Sequence, residues 1–542
     1  MVAARWCLAA AGTWFCAAWL AAACCAAAEG APGGGVLAVT LDKAVGGQRE
    51  LEVWLDCRGG KPAGAVALAP TFSKSPPQVD ISRLTLHGAA LGGELAVTFH
   101  SDGFNPPIGK TVRAVYSLNA KLPGGKGPAA GTFSGKYDTA GALGAPKDVA
   151  GAVTVVPAGR APLDGLAVVT LSMVNAAGQK GLDRSVWGRA AYPRFVLKDG
   201  KVVQAVMHGH GGKQIEYFEA VFTRTDLKLD TTGLSGTAEL TASGGDKYVY
   251  TLQAAVGGTR VAGTFGKTVN GKAAEGNRFT GVIEPVPQVP ADNAVWNIEL
   301  IGAVPGGKHL NVYLPCVGGT FRDGMAYAGT WNHTYHDVVP AALKLATRAA
   351  EAAATGKINV TMNPDPYVPA DHKPVAASYD IDAAWRDGCV SGTFKGVFGG
   401  KDVAGAIVGR LTAIPPVPEP AAVSVKLDNG TCDGAPWHRR TYINFVAVKG
   451  KADAGGMGNN KGGWQGTFKG AEIAYGGATF TATIRGTVDT SHSSKTGAYT
   501  FKLTGKSIGG ELIGKCDTYL DGKLAKQNTD FMGTIRAPDA TR

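Results

Sequence analysis

The chain contains a long internal duplication, which restricts its possible folds more than any other feature of the sequence. Residues 44–60, AVGGQRELEVWLDCRGG, are repeated as AVPGGKHLNVYLPCVGG at residues 303–319. A second pair of segments, AAGTFSGKYD and VSGTFKGVFGG, is followed in each copy by KDVAGA. Cys57 and Cys316 are separated by 259 residues, and Gly131 and Gly392 by 261 residues. The agreement of these offsets indicates that one large segment is present twice.

A weaker motif divides each copy in two. The pattern Tyr-x-apolar-x, followed in three of its four copies by alanine, occurs as YSLNA, YTLQA, YDIDA and YTFKL, beginning at Tyr116, Tyr250, Tyr379 and Tyr499. A glycine-rich turn and a GTF segment follow the first three copies, and LIGKC replaces GTF in the fourth. The repeats therefore predict four units in the order A-B-A-B.

Proline marks the end of each unit, at Pro157, Pro285, Pro415 and Pro538. The stretches PVPQVP and IPPVPEP are typical of extended, semi-rigid spacers. The predicted segments are a signal peptide at 1–28, repeat A1 at 29–157, repeat B1 at 158–288, repeat A2 at 289–417 and repeat B2 at 418–542.

Alternation of apolar and polar residues predicts an all-β fold. In the segment from Tyr116 to Ala120, Tyr116, Leu118 and Ala120 are expected to face a core, and Ser117 and Asn119 to face water. Connections are short and rich in Gly, Asn, Asp and Pro, which favours antiparallel meanders. Each unit is therefore expected to be a small meander barrel or a β-sandwich of about eight strands, and consecutive hairpins favour the barrel.

One segment conflicts with its repeat. Residues 341–355 are alanine-rich and follow Pro340, which locally predicts a helix. The counterpart in unit A1 alternates as Leu84-x-Leu86, which predicts a strand hairpin. Both interpretations are open, and a strand followed by a short helical turn is favoured.

The first residues predict export. Arg5 precedes an apolar stretch from Trp6 to Ala23, and Ala26-Ala27-Ala28 offers the small residues of a cleavage site. Lipid attachment at Cys24 is an alternative. The expected location is secreted, periplasmic or cell-surface, with no transmembrane segment in the mature chain.

The net charge of the chain indicates which kind of partner it would attract. The formal net charge is +11, which favours polyanionic neighbours such as a polysaccharide or another anionic surface polymer. Because the basic residues are scattered, no specific nucleic-acid binding is expected. A solvated surface with a modest excess of positive charge is the alternative.

Cysteine spacing argues against zinc and for disulfides. Four of the nine cysteines lie in the signal segment, and no CxxC pair is present in the remainder. In an oxidising compartment, the pairs Cys316–Cys389 and Cys432–Cys516 are expected, each joining an early strand of a unit to a late one. Cys57 is left without a partner in its unit.

The densest group of polar and aromatic residues lies in unit A2. It comprises Trp331, His333, Tyr335, His336 and Asp337. The two histidines and the aspartate are suitable metal ligands, and the two aromatic rings could stack on a sugar. No metal site is predicted, and a decorated surface loop is the alternative to a ligand-binding site.

Two further patterns have simpler explanations. His208 and His210 would share one strand face and could chelate a metal, but the surrounding glycines favour a turn. Asp380 and Asp382 resemble paired catalytic carboxylates. Because their counterparts in the other repeats are not acidic, they are interpreted as outward positions of one strand.

No short catalytic or cofactor-binding motif is present, and no cofactor is expected. Three hypotheses follow: an exported multi-repeat binding protein, for glycans or other polyanions; a structural or adhesive spacer; and a hydrolase without a recognisable motif. Repetition of similar small units favours the binding protein.

Overall fold

The computed structural model describes residues 34–538, apart from positions 74, 102–104, 108, 125–126, 175–189, 212–215, 232, 242–244, 329–334, 349–350, 364–372, 415–417, 428–440, 460–464, 477–478, 489–495 and 509. The predicted signal peptide and Cys24 lie outside these residues. No helix among the described residues is long and apolar enough to span a membrane.

The first half of the chain forms two barrels. The first barrel consists of β1 (Gly34–Val45), β2 (Arg49–Arg58), β3 (Lys61–Leu68), β4 (Gln78–His87), β5 (Ala90–His100), β6 (Thr111–Lys121), β7 (Ala129–Tyr137) and β8 (Lys147–Ala158). The second consists of β9 (Leu166–Val174), β10 (Ala190–Lys198), β11 (Lys201–Gly211), β12 (Glu216–Asp230), β13 (Gly233–Thr241), β14 (Lys247–Gly257), β15 (Arg260–Val269) and β16 (Lys272–Pro285).

The second half repeats this arrangement after a 3-10 turn at Ala291–Asn293. The third barrel consists of β17 (Ala294–Val304), β18 (Lys308–Val317), β19 (Thr320–Phe321), β20 (Gly324–Tyr327), β21 (Tyr335–Val339), β22 (Lys344–Arg348), β23 (Glu351–Met362), β24 (Val375–Arg386), β25 (Cys389–Phe398) and β26 (Lys401–Ala413). The fourth consists of β27 (Ala421–Leu427), β28 (Thr441–Ala447), β29 (Lys451–Ala452), β30 (Gly455–Asn459), β31 (Gln465–Gly476), β32 (Thr479–Val488), β33 (Gly497–Ile508), β34 (Glu511–Leu520) and β35 (Lys523–Arg536).

All four sheets are antiparallel meanders that curl into barrels. The second barrel closes through the β9–β16 pair, the third through β17–β18 and the fourth through β31–β32. In the first barrel, β3 and β4 form the two edges of the sheet and are not hydrogen-bonded to each other. The prediction of four tandem all-β units is confirmed, and the barrel was the correct choice over the sandwich.

Alternating side chains fill the interior of each barrel. On β6, Tyr116, Leu118 and Ala120 are buried, whereas Ser117 and Asn119 are exposed, as predicted. Each barrel has its own cluster of buried apolar residues. Burial of a large apolar side chain contributes about 1.5–3 kcal/mol, so these cores are the main source of stability.

In each A-type barrel, the repeated tyrosine forms a hydrogen bond across the interior. The Tyr116 hydroxyl donates a hydrogen bond to the carbonyl oxygen of Ala44 at 3.0 Å, and Tyr379 does the same to Ala303 at 3.1 Å. Both acceptors lie near the end of the first strand of their barrel, where the strand pairing is irregular. The motif is thus a structural contact between two distant strands.

The alanine-rich segment of unit A2 is a strand hairpin. β22 pairs with the beginning of β23, and Ala352 and Ala354 point into the core at a spacing of two residues. The local helix prediction is wrong, because pairing with β22 and β24 and burial of every second alanine outweigh helix propensity.

The chain divides into two compact units, one ending at Val286 and the other beginning at Pro287. In the first unit, the guanidinium of Arg260 in the second barrel lies 5.1 Å from the ring centroid of Trp54 in the first. Asp56 is buried beside Trp54, with Arg58 at 2.6 Å and Arg160, from the connecting segment, at 3.4 Å. The ring contact therefore joins the first two barrels, and the Asp56–Arg160 pair ties the connecting segment to the first barrel.

In the second unit the junction is apolar. Val295 and Met325 on the third barrel pack against Ile508 and Ile513 on the fourth. Lys506 adds a hydrogen bond to the carbonyl oxygen of Gly324 at 3.1 Å. The third and fourth barrels are therefore joined mainly by buried apolar side chains.

The two cysteines of unit A2 do not form the expected disulfide. Cys316 is buried in the core of the third barrel. Val390 on β25 also points into this core, so its neighbour Cys389 projects from the opposite side of the barrel wall. The structure contains no Cys316–Cys389 disulfide. Cys516 is a buried free thiol in the fourth barrel, and its expected partner Cys432 lies outside the described residues.

Candidate functional site

The residues singled out in unit A2 do not share one surface. Trp331 and His333 lie outside the described residues, and only the backbone of Tyr335 is described. On β21, His336 faces the interior and is fully buried, whereas Asp337 faces outward. Because strand alternation places these two side chains on opposite sides of the wall, they cannot act on one ligand.

His336 has a structural role. Its Nδ1 accepts a hydrogen bond from the backbone N–H of Asn363 at 3.0 Å. Burial lowers the pKa of His336 to about 3, so the ring is neutral at physiological pH. Asp337 forms an ion pair with Lys506 of the fourth barrel at 3.6 Å. Both residues support the structure of the second unit.

The other metal and carboxylate candidates also remain separate. The side chains of His208 and His210 lie outside the described residues. Asp380 and Asp382 are exposed on the outer face of β24, as predicted. Among the described residues, no group of three His, Cys, Asp or Glu side chains could hold a metal ion.

An open groove lies on the outer wall of the fourth barrel. Its volume is about 990 Å³, and its floor is formed by the outward faces of β35, β27 and β28. The side chains of Ala422 and Ser424, on the central strand, are small, so the floor is lower than its two sides. The groove is the candidate functional site.

Strand register arranges the floor in two rows. Ser424 pairs with Asn444 on one side and with Thr534 on the other, which gives a polar row. Two residues earlier on β27, Ala422 pairs in the same way with Val446 and Arg536. The two rows lie about 7 Å apart along the strands.

The connection from β28 to β30 forms a raised wall of the groove. Val448 and Lys451 exchange backbone hydrogen bonds of 2.8 and 3.0 Å. The N–H of Lys449 donates to the carboxylate of Glu419 at 2.8 Å, which ties the wall to the segment before β27. At Gly455 a Cβ atom would lie 2.7 Å from the carbonyl oxygen of Asn444, so only glycine allows the wall to approach this closely.

The groove combines three kinds of surface. Val446 is 46% exposed and Val448 is 55% exposed, so both offer apolar contact. Lys451 and Arg536 supply positive charge, and Asp453 supplies negative charge. The site can therefore make apolar, hydrogen-bonding and ionic contacts over one continuous surface.

A fourth strand extends the polar row towards the junction with the third barrel. Glu511 on β34 pairs with Thr534. Burial raises the pKa of Glu511, and the nearby charge of Arg536 opposes this shift. The end of the row at Glu511 thus carries an acidic group that is partly withdrawn from solvent.

The aromatic side chains of the described residues are buried or half-buried, and the half-buried ones include Trp385, Tyr442 and Tyr519. The large apolar side chains that are exposed are Leu143, Val156, Val203, Val317, Val339, Val397, Val446, Val448 and Leu524. Trp296 is buried and donates from Nε1 to the carbonyl oxygen of Ala291 at 3.0 Å. The described residues therefore offer no fully exposed aromatic ring for sugar stacking.

Comparison with known proteins identifies no family. No family model matches the chain, and no curated protein matches it. The solved structures that it resembles include intact Ap-TbpB with its N and C lobes, at 12% identity and a TM-score of 0.14, over 74% of this chain and 83% of that one. Another is the vaccine antigen transferrin binding protein B from Haemophilus parasuis Hp5, at 9% identity and a TM-score of 0.15, over 93% and 95% of the two chains. These values are too low to establish a shared fold, and no property is transferred from either protein.

Proposed function

We propose that this chain is an exported binding protein whose fourth barrel holds an extended segment of a partner polypeptide in the groove over β35, β27 and β28. The observation that carries the proposal is the pair of rows fixed by strand register, one polar and one mixed apolar and basic. The predicted signal peptide supports a role outside the cytoplasm. The volume of about 990 Å³ is at the upper end of the range for ligand sites.

The chemistry of the groove favours a polypeptide over a glycan or a uniform polyanion. Charges of both signs line it, with Lys451 and Arg536 on the basic side and Asp453 on the acidic side. A sugar chain is usually held by stacking on aromatic rings, and the groove lining includes one aromatic residue, Phe445, which is 5% exposed. An extended peptide alternates its side chains and can meet apolar and polar rows in turn.

Hydrolysis has less support at this site. The groove lining contains one carboxylate, Asp453, and no histidine, cysteine or tyrosine, and Glu511 lies outside it on the strand beyond Thr534. A hydrolase needs a nucleophile or activated water with a general acid or base in hydrogen-bond reach. The lining is therefore better suited to holding a chain than to cleaving it.

A phage-displayed library of linear peptides tests the proposal. The full chain is expected to enrich peptides that bind saturably. The substitution Ala422→Trp fills the floor of the groove and should raise the Kd of the selected peptides by at least about tenfold. Ala404→Trp is the matched control, because Ala404 is exposed on the outer wall of the third barrel. It should bind as the wild type does.

Glycan binding is the contrasting outcome. The same two variants are applied to immobilised sulfated and neutral polysaccharides. The wild type could be retained on a polysaccharide and enrich no peptide, and Ala422→Trp could leave that retention unchanged. This result would show that the groove is not the binding site, and it would support the glycan and polyanion hypothesis. Circular dichroism and the melting temperature of each variant establish that the fold is intact.

A further inference from the structure

The groove of the fourth barrel belongs to a face that all four repeats possess. In each repeat the first strand is flanked by two strands of the same barrel, and its outward side chains form the middle of what we call the first-strand face. In repeat B2 the first strand is β27, and the groove lies on its first-strand face. In repeat A1 the first strand is β1, which pairs with β2 and β8 and presents Ala38 and Thr40. The same face can therefore be compared at four places in the chain.

In the two inner repeats, B1 and A2, the first-strand face is buried. In B1, Val168 on β9 pairs with Val196 on β10, and both alternate with core residues and so point outward. They are 6% and 0% exposed. In A2 the outward residues Glu299 and Asn311 pair with each other and are 4% and 6% exposed. Because charged and amide side chains are rarely buried on a wall that faces water, the first-strand face is a packing surface.

In the two outer repeats, A1 and B2, the same face is open. Glu52 in A1 occupies the place of Asn311 in the duplicated sequence, and it is only half-buried. Val156 on β8, beside Ala38, is 37% exposed. In B2, Val446 pairs with the first strand as Val196 does in B1, and it is exposed. Each outer repeat thus carries one uncovered copy of a packing surface.

The two open faces are complementary in charge. Strand β2, at the side of the A1 face, carries Glu50 and Glu52, whereas the groove on B2 is lined by Lys451 and Arg536. None of these four side chains forms an ion pair with a described residue. The exposed valines of the two faces add apolar contact. Opposite charges across an interface select the correct partner and speed association.

Strand β2 also has the form that the groove accepts. Glu50 and Glu52 are two residues apart on an extended strand, about 7 Å, which equals the separation of the two rows of the groove. The A1 face also offers a cation, Lys43, for the one carboxylate of the groove lining, Asp453. Because β2 is held in a barrel, it enters the groove without the entropic cost of ordering a free peptide.

We propose that the polypeptide held in the groove is strand β2 of a second copy of this chain, together with the rest of the first-strand face of repeat A1. This inference rests on the proposed function and names its partner. The contact joins two different faces, so it leaves one A1 face and one groove open on every assembly. Copies therefore associate head to tail.

Sedimentation velocity of the full chain over a range of concentrations tests the proposal. The wild type is expected to form oligomers whose size grows with concentration. Ala422→Trp fills the groove and Thr40→Trp obstructs the A1 face, so each should raise the Kd of self-association by at least about tenfold. Ala404→Trp and Thr132→Trp, at exposed positions on the outer walls of the third and first barrels, are the matched controls and should associate as the wild type does.

Mixing the two variants identifies the faces that meet. Ala422→Trp keeps an open A1 face, and Thr40→Trp keeps an open groove. An equimolar mixture should therefore form dimers with one copy of each variant and no larger species. If one groove met another groove, Thr40→Trp alone would associate as the wild type does, and this result would overturn the proposal.

Charge reversal gives a check that does not depend on a bulky substitution. Glu52→Lys should weaken self-association, and its effect should shrink at high salt, because screening reduces the contribution of the charges. Asp402→Lys makes the same reversal at an exposed position of the third barrel and should have no effect. Equal Kd values for the wild type and Glu52→Lys would contradict the proposed contact.

The outcomes separate this proposal from the proposed function. Library peptides that bind the groove, with a wild type that is monomeric at every concentration, would show that the partner is a different polypeptide and would overturn only the present proposal. If the chain enriched no peptide and did not self-associate, both proposals would be wrong. Self-association that Ala422→Trp leaves unchanged would show that copies meet elsewhere, which also contradicts the proposal.

Discussion

Tyr116 and Tyr379 each place a phenol hydroxyl inside an apolar barrel core, where a polar group is stable only when it is hydrogen-bonded. Each donates to a carbonyl oxygen more than seventy residues earlier in the chain, at Ala44 and Ala303. Burial raises the pKa of both phenols, so they remain neutral donors. The recurrence of tyrosine in these two repeats is explained by this contact rather than by ligand binding.

Replacing Tyr379→Phe removes the hydroxyl and leaves the carbonyl oxygen of Ala303 without this donor. The free energy of unfolding should fall by about 1–3 kcal/mol, because a buried acceptor loses its partner. Tyr116→Phe should have a similar effect in the first barrel. Calorimetric unfolding of the full chain measures both. Thr393→Val, at an exposed position of β25, should change stability by less than about 0.5 kcal/mol.

A stability of Tyr379→Phe equal to that of the wild type would show that the hydroxyl does not contribute to the third barrel. A loss in Thr393→Val as large as that in Tyr379→Phe would show that any change in this pair of strands is destabilising. Either result would contradict the structural explanation of the repeated tyrosine.

At the scale of strands, a repeated glycine allows the wall of a barrel to bend. Gly93 has φ of +106° and Gly356 has φ of +130°. A Cβ atom would lie 2.1 Å from the carbonyl oxygen of Arg83 at the first position and 2.0 Å from that of Ala342 at the second. Both the backbone conformation and the close approach therefore require glycine.

Gly356→Ala should destabilise the third barrel by about 2–4 kcal/mol, because it combines an unfavourable φ with a clash against backbone. Gly318→Ala is the control. It also has a positive φ, of 57°, but its Cβ would meet nothing within 4 Å. Gly318→Ala should therefore lose less stability than Gly356→Ala, and the difference is the cost of the clash. The melting temperatures of the two variants measure this difference. Equal losses would mean that close packing at Gly356 is unimportant.

Much of the fold follows from the sequence, because a period of two residues and short polar turns are local signals. The duplication and the repeated tyrosine motif together predicted four units, and the buried positions of β6 were predicted individually. The local sequence could not decide whether the alanine-rich segment forms a helix or a hairpin. β22 and β23 are strands only because they pair with each other and with β24. Cysteine spacing likewise does not reveal which side of the wall Cys316 and Cys389 face.

The candidate groove was not predictable from the sequence, because its residues do not form a sequence motif. Ser424, Asn444 and Thr534 are ordinary outward residues of three strands, and Thr534 is 110 residues from Ser424 and 90 from Asn444. Only the register of β27 with β28 and β35 makes them neighbours. The prediction from sequence instead favoured residues close together in the chain, such as His336 and Asp337, which alternation then separates.

At the scale of the whole molecule, the chain consists of two units, each an A-type barrel joined to a B-type barrel. The contact between Trp54 and Arg260 lies within the first unit, and the cluster of Val295 with Ile513 lies within the second. The two junctions differ in chemistry: the first has a cation–ring contact between Arg260 and Trp54, and the second has an apolar cluster with the Lys506–Asp337 ion pair beside it. The duplication therefore preserved the barrels while their junctions diverged.

This organisation predicts where the chain can be divided. Cleavage at a protease site introduced between Val286 and Pro290 should release two soluble halves with β-type circular dichroism, because β16 ends at Pro285 and both junctions stay intact. A site introduced at residues 162–164, between the first two barrels, is the comparison. Once the pieces are separated, cleavage there removes Arg260 from the ring of Trp54 and Thr231 from Arg58, so the single barrels should melt at a lower temperature than the intact half. Halves that fail to fold, or single barrels as stable as the intact half, would show that the pair of barrels is not the folding unit.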